Sequence, residues 1–276
     1  MGTRASQVSR FNRGKRIAVL WAVAVVITLA AALAPPFAQP ESYHRFADQR
    51  SLLGIPNYLD VTSNVAFLVV GVMGVLFVFR EKGNERRRAF ENSSERWGWG
   101  VAFAAVALGC FGSAFYHWAP DSPRLAWDRL PIAVAFMSIV AATAAERISP
   151  KAGMRLLAPL ALLGAASVGY WRWTAAHGVE NLNPYGAVQF GSALVILVMV
   201  LLFPPRYTRS NDLLGAAMLY ALAKVAEYFD HAIFNATGGI MSGHTLKHLL
   251  AATAVLWLLR MLKLRTPAPN GDCVAR

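Results

Sequence analysis

The chain has 276 residues, of which 56% are hydrophobic and only 15% are charged. This composition is too apolar for an ordinary soluble domain, and it predicts a protein built from membrane-spanning helices. Lys and Arg number 27 against 15 Asp and Glu, a formal charge of +12. The basic residues alternate with apolar segments, so they indicate membrane topology and not nucleic acid as a partner.

Apolar segments of about 20 residues, the length that crosses a bilayer, recur along the whole chain. They lie at 17–35, 59–79, 98–118, 128–145, 154–171, 185–203, 212–229 and 243–262. The predicted fold class is an all-α polytopic membrane bundle, with a seven-helix core and one additional N-terminal transmembrane helix.

The first segment is predicted to be an uncleaved anchor. Its basic start and small residues could also belong to a signal peptide, but Pro35 and Pro36 follow the apolar run at once. The sequence therefore predicts a basic cytoplasmic tail with an N-terminal anchor over 1–40, the seven-helix core over 41–264 and a cytoplasmic tail over 265–276.

Most Lys and Arg residues lie in the two tails and in alternate loops. The other side holds few, namely Arg45, Arg50, Arg124, Arg129 and Arg172. By the positive-inside rule, both termini are cytoplasmic. The Arg- and Ala-rich composition favours the inner membrane of a bacterium, with the histidines described next on the periplasmic side.

Three of the six histidines lie at the ends of apolar segments. His244 and His248 are four residues apart, so on a helix their imidazoles share one face and can bind one ion. His117 ends an earlier segment at the same predicted depth, one turn after Ser113. Three neutral imidazoles with water as a fourth ligand form an open, catalytic zinc site. The sequence predicts Zn²⁺ bound by these three histidines inside the membrane.

The order of these residues resembles the alkaline ceramidase family. Ser113 and His117 form a Ser-x-x-x-His motif, Asp128 follows eleven residues later, and His-x-x-x-His opens the last helix. The wider group of seven-helix membrane hydrolases includes the adiponectin and progestin receptors, in which the Asp lies further from the first His. Residues 57–64 also resemble the family's first core helix, and the resemblance covers about residues 45–262.

The resemblance implies a zinc-dependent lipid amide hydrolase, which converts ceramide or another N-acyl membrane lipid to a free base and a fatty acid. It implies that His117, His244 and His248 bind zinc, that Asp128 transfers protons, and that Ser113 positions or polarises the substrate carbonyl. General chemistry allows the same roles, since zinc polarises carbonyls and a nearby carboxylate can carry protons. Asp128 could instead cap its helix, and Ser113 could bond to its own helix carbonyl.

A second ionisable group consists of Lys224, Glu227, Asp230 and Lys247. Charges inside a bilayer must be paired, so these residues could form a structural ion-pair network. Lys247 also lies beside the predicted ligand face, where Glu227 or Asp230 could neutralise it and support the metal site.

Calcium is an open alternative. The family carries an acidic calcium site before and into its first core helix, and Asp48 and Asp60 stand where parts of it would fall. The family's tryptophan and further acids are missing here. Arg50 could take the place of the ion, or the acids could only pair with Arg45 and Arg50.

The alternative function is a zinc-binding receptor or scaffold without turnover. The complete set of Ser113, Asp128 and three histidines favours the hydrolase. Nothing in the sequence indicates the oligomeric state.

Overall fold

The structure is a computed structural model that describes residues 2–80 and 89–268, with side chains from residue 13 onward. The loop 81–88 and the tail 269–276, on which part of the topology prediction rests, lie outside the described residues. Within the described ranges the secondary structure is helical and contains no strand. The prediction of an all-α polytopic bundle is confirmed.

The helices are numbered here in chain order. They are α1 Gly2–Leu33, α2 Tyr58–Thr62, α3 Val65–Phe79, α4 Arg96–Trp118, α5 Ser122–Arg147, α6 Pro150–Ala176, α7 Asn183–Gly186, α8 Ser192–Leu202, α9 Asp212–Tyr228, α10 Asp230–Ala236 and α11 Gly243–Leu264. A π-helical turn, Ala187–Gly191, joins α7 to α8.

Seven helical segments of the described chain are long and apolar enough to cross a membrane. They are Arg13–Leu33, Tyr58–Phe79, Ser93–Trp118, Ser122–Arg147, Pro150–Ala176, Asn183–Leu202 and Gly243–Leu264. The remaining predicted segment, 212–229, forms α9, which has 17 residues. At 1.5 Å per residue α9 spans only about 25 Å. It is shorter than the other segments, yet it packs against α11 as a member of the bundle.

The packing follows the chain order for the middle of the protein. Helices α3, α4, α5 and α6 each contact the next, because the short connections 119–121 and 148–149 force antiparallel neighbours. Helix α11 packs on both α9 and α3, and α8 packs on α5. Helix α1 packs mainly on the α7–α8 region and is little buried, so it lies at the periphery of the bundle as an additional helix.

Helices α4 and α5 approach closely at Gly112. A Cβ atom at this position would lie 2.1 Å from the Trp127 carbonyl oxygen and 3.3 Å from the Asp128 nitrogen. Small residues permit such backbone approach inside membranes. The next residue, Ser113, is thereby placed beside the second turn of α5, where Asp128 lies.

The start of α5 differs from the prediction. The helix begins at Ser122 and not at 128, and the Asp121 carboxylate caps it by accepting the Arg124 backbone N–H at 2.7 Å. The alternative that Asp128 is a helix cap is therefore wrong. The polar first turn, with Arg124 and Asp121, lowers the local hydropathy and hides the helix start in the sequence.

The end of the bundle away from the histidines, called here the basic end, holds ion pairs between separate loops and helix ends. Arg265 pairs with Glu146 at 2.6 Å, and Arg206 pairs with Glu95 at 2.8 Å. The Arg13 guanidinium donates to the Ile148 carbonyl at 2.9 Å. The structure thus gathers basic residues from several loops at one end, while the side of the membrane that this end faces stays a prediction.

Replacing Gly112 by Ala should separate α4 from α5. The new methyl group would meet backbone atoms of α5, which cannot move independently, and such overpacking costs about 1–3 kcal/mol. We expect a lower thermal unfolding midpoint in detergent. The control is Gly169→Ala on α6, where no atom lies within 4 Å of the added Cβ and alanine is the better helix former. Equal midpoints for Gly112→Ala and the wild type would contradict the close approach.

Candidate metal centre

The structure brings the three predicted histidines together. His117 lies in the last turn of α4, and His244 and His248 lie in the first two turns of α11. Their ring centroids are 4.6 Å apart for His117 and His244, and 4.9 Å apart for the other two pairs. All three side chains are buried, and one nitrogen from each lies within 4.8 Å of the others. This is the one group of at least three His, Cys, Asp or Glu residues among the described residues that could hold a metal ion.

The donor geometry fits a small tetrahedral ion. His117 Nε2 and His244 Nε2 are 3.2 Å apart. Two imidazoles on a tetrahedral zinc, with Zn–N bonds of about 2.0–2.1 Å, would have nitrogens about 3.3–3.4 Å apart. Three imidazoles also suit zinc chemically, although they suit other transition metals too. The three residues present therefore fit a metal of this size.

The first turn of α11 is fixed by contacts with the end of α9. Gly243 lies so close that a Cβ atom would be 2.1 Å from the Ala226 carbonyl oxygen. Ser242 caps the helix through the Thr245 N–H at 2.9 Å, and the His244 N–H donates to Asp230 Oδ1 at 2.8 Å. Asp230, predicted as a supporting residue, thus holds the backbone of a ligand and not its ring.

Ser63 orients the ring of His248. Its Oγ lies 2.8 Å from His248 Nδ1, at the break between α2 and α3. The same hydroxyl is 3.3 Å from the Asp60 carbonyl, to which it can donate while it accepts the Nδ1–H. This arrangement leaves His248 Nε2 free to bind a metal. Sequence reasoning missed this role, although Ser63 lies within the family-like segment 57–64.

Asp48 and Asp60 have separate partners. Arg50 binds Asp48 with two hydrogen bonds of 2.7 Å, and although burial raises the pKa of Asp48, these bonds and the Arg50 charge lower it overall. Asp60 Oδ1 accepts hydrogen bonds from Ser242 at 3.1 Å and Thr245 at 2.6 Å. Among the described residues, neither acid belongs to a group with three metal-ligating side chains. Asp48 therefore has the arginine partner that the sequence offered as an alternative to calcium.

Ser113 and Asp128 form a buried pair beside the histidines. Ser113 lies one turn before His117 on α4, and its neighbour Gly112 lies directly against the backbone of Trp127 and Asp128. The side chains of Ser113 and Asp128 are both buried, and the charge of Lys247 acts on Asp128. The close approach at Gly112 is what makes this pair possible.

Lys247 belongs to an ion-pair network and also touches a ligand. Its Nζ lies 2.7 Å from His244 Nε2 and 3.0 Å from Glu227 Oε1, and Glu227 also binds Lys224. An ammonium can only donate, so it engages the lone pair of His244 Nε2 that a metal would need. Glu227 gives the ammonium a second partner. Three of the four residues of the predicted network therefore pair, without Asp230, and Lys247 contacts the ligand face.

Residues 34–57, called here the cover segment, lie over the histidines. The Phe46 ring centroid is 4.7 Å from that of His117 and 4.5 Å from that of His244. The Ala47 N–H donates to Asp230 Oδ2 at 2.9 Å. Tyr43 donates to Glu227 Oε1 at 3.0 Å, and burial together with the Glu227 charge raises the pKa of this phenol well above its usual value. Aromatic residues in a connecting segment give no periodic signal, so the sequence did not indicate these roles.

In comparisons with known proteins, no family model matches the chain and no curated protein matches it significantly. The fold and the site define a polytopic helical membrane protein with a buried three-histidine group.

We expect the purified protein to bind one zinc ion per chain. His244→Ala should lose most of the metal, because two imidazoles cannot complete a stable site, and the triple substitution of His117, His244 and His248 should lose all of it. Metal content by mass spectrometry after dialysis measures both. The control is His177→Ala, an exposed residue that contacts Trp173. Full zinc occupancy in the triple variant would disprove the site.

Ser63→Ala should keep zinc stoichiometry but weaken affinity. Without the hydroxyl, the ring of His248 can rotate away from the orientation that binds a metal. Loss of such supporting contacts typically costs about 10–100-fold in metal affinity. Competition with a chelating dye measures the change. Thr62→Val is the matched control, because the Thr62 hydroxyl bonds only to its own helix, at the Tyr58 carbonyl. A wild-type affinity in Ser63→Ala would show that the hydroxyl does not orient the ligand.

Proposed function

We propose that the protein is a zinc-dependent intramembrane hydrolase of lipid amides, with a ceramidase-like reaction that releases a fatty acid from an N-acyl lipid. The observation that supports this most is the burial of Ser113 and Asp128 where α4 and α5 meet, beside the three-histidine group. A receptor or scaffold that only retains a metal has no need of a buried proton carrier next to it. The order of these residues along the chain, which resembles the alkaline ceramidases, supports the same reaction.

Zinc held by the three histidines would polarise the substrate carbonyl and make a water acidic enough to attack near neutral pH. Asp128 accepts a proton as the water oxygen bonds to the carbonyl carbon. It then gives that proton to the amide nitrogen as the C–N bond breaks, so the products are a fatty acid and a free amine. Asp128 is buried and takes part in none of the ion pairs of the described chain, so its carboxylate is available for this role.

Ser113 serves the same step in two stages. Its single O–H can donate to the Asp128 carboxylate while Asp128 is ionised. Once Asp128 holds a proton, it no longer needs that donor, and the hydroxyl can turn towards the negative oxygen of the tetrahedral intermediate. Ser113 therefore stabilises charge at whichever group carries it.

The surroundings favour a lipid as the substrate. The site lies in a bundle of apolar helices, and Phe46 of the cover segment lies against two of the histidines and limits water. We also propose that the protein resides in the inner membrane of a bacterium, with both termini cytoplasmic and the histidines on the periplasmic side. The gathering of Arg13, Arg206 and Arg265 at the basic end supports this orientation.

Asp128→Asn should abolish most turnover while zinc stays bound. The side chains have the same size, but the amide cannot take a proton, and loss of a general base typically costs about 10²- to 10⁴-fold in rate. The measurement is release of fatty acid from an N-acyl sphingoid lipid in mixed micelles, with zinc content determined on the same sample. The matched control is Asp121→Asn, which removes a charge from the cap of the same helix, where Asp121 pairs with Arg124 at the surface.

Ser113→Ala, assayed in parallel, should cost less, about 10-fold to a few hundred-fold, since its hydroxyl is one of several contacts to the developing charge. A wild-type rate in Asp128→Asn would remove this residue from the mechanism. If zinc-loaded wild-type protein releases no fatty acid from any N-acyl lipid, the hydrolase proposal is wrong. The alternative function, a zinc-binding receptor or scaffold, is then favoured.

A further inference from the structure

Arg129 has an unused hydrogen-bond donor inside the bundle. It follows Asp128 on α5 and is only 8% exposed. Its Nη2 donates to Gln39 Oε1, whereas Nη1 is buried with no hydrogen-bond partner among the described residues. The ion pairs of the described chain do not include Arg129. A guanidinium buried without a carboxylate is costly, so its position calls for a partner.

Aromatic rings surround this guanidinium. Its Cζ lies 4.7 Å from the centre of the Trp171 ring, 4.9 Å from Tyr185 and 5.6 Å from Tyr43. Such cation–π contacts fix the plane of the group and offset part of the cost of burial. They do not accept the Nη1 hydrogens in the way that an oxygen anion does. The cage therefore holds Arg129 in a fixed orientation with one donor still available.

Two of the carboxylates near the site are engaged by other groups. Lys224 and Lys247 share Glu227, and Asp230 accepts the Ala47 and His244 N–H groups. Arg129 therefore keeps its positive charge without a carboxylate partner of its own. In an apolar membrane such a charge favours an anionic ligand over a neutral one.

We propose that Arg129 binds an anionic oxygen group on the head of the substrate, so that the preferred substrates are N-acyl lipids with a carboxylate, phosphate or sulfonate near the amide. This inference rests on the proposed amide hydrolase function. Arg129 lies over Tyr43, whose hydroxyl donates to Glu227, and Glu227 pairs with Lys247 beside His244, so a head group held by Arg129 lies near the three-histidine group. A guanidinium also matches such oxyanions with paired hydrogen bonds. Neutral ceramide would leave Nη1 without a partner.

A binding experiment on the full-length, zinc-loaded protein in detergent tests the proposal. The probes are N-oleoylglycine and its methyl ester, which share the acyl chain and the amide and differ in the negative charge. We expect the acid to bind about 10-fold or more tightly than the ester, as a charge-assisted hydrogen bond would give. Arg129→Gln should lose this preference, and Arg129→Lys should keep part of it. The matched control is Arg172→Gln, which removes a cation from the same Trp171 ring, at 5.3 Å, and should keep the full preference.

Equal binding of acid and ester by the wild type would overturn the proposal, even if Arg129→Gln fails to fold. So would a preference that survives in a folded Arg129→Gln, because the carboxylate would then bind elsewhere, for example at the metal. Free oleate is the third probe. If Arg129→Gln weakens oleate as much as N-oleoylglycine, Arg129 holds the released fatty acid and the head-group assignment is wrong. Turnover is measured separately, so an Arg129-dependent preference without fatty acid release would reject the hydrolase and retain the anion site.

Discussion

The contact between His117 and His244 is the constraint on which the rest of the site depends. Their facing nitrogens, 3.2 Å apart, join two helices whose residues are 127 positions apart in the chain. To bring these rings together, the end of α4 must meet the start of α11. The positions of two neighbouring helices depend on this contact, because α5 packs on α4 at Gly112 and α9 packs on α11 at Gly243. Each of these two glycines therefore sets the distance between two helices. Each also positions the polar side chain that follows it, Ser113 or His244.

Polar groups at the two ends of the bundle are paired in different ways. At the basic end, Arg265 is buried and bonds to Glu146 and to the Ala89 carbonyl, and Arg96 Nε is the one buried side-chain atom there without a hydrogen-bond partner among the described residues. At the histidine end four such atoms lack a partner, among them His117 Nδ1 and Arg129 Nη1. Buried polar groups in stable proteins are normally satisfied, and exceptions concentrate where ligands bind. The contrast supports a structural role for one end and a ligand-binding role for the other.

The sequence predicted those features that depend on local periodicity. Hydropathy located the long helices, and the i, i+4 spacing of His244 and His248 placed two imidazoles on one face because α11 is a regular helix there. The sequence could not predict features that depend on contacts between segments far apart in the chain. The sequence places Arg129 among the few basic residues on the predicted periplasmic side, and only the structure shows that it is buried among rings from the cover segment, α6 and α7. Phe46 and Ser63 likewise gain their roles only when the cover segment and the α2–α3 break meet the histidines.

The position of the ligands along the chain has a consequence for biosynthesis. Helix α11, the last of the described helices, supplies two of the three imidazoles, and α4 supplies the third. A nascent chain that has inserted everything before α11 carries one of the three histidines and cannot form the group. Any metal that the group binds can therefore be held in this arrangement only after α11 has inserted beside α4. Chains that lack α11 cannot offer the three-histidine site to an ion.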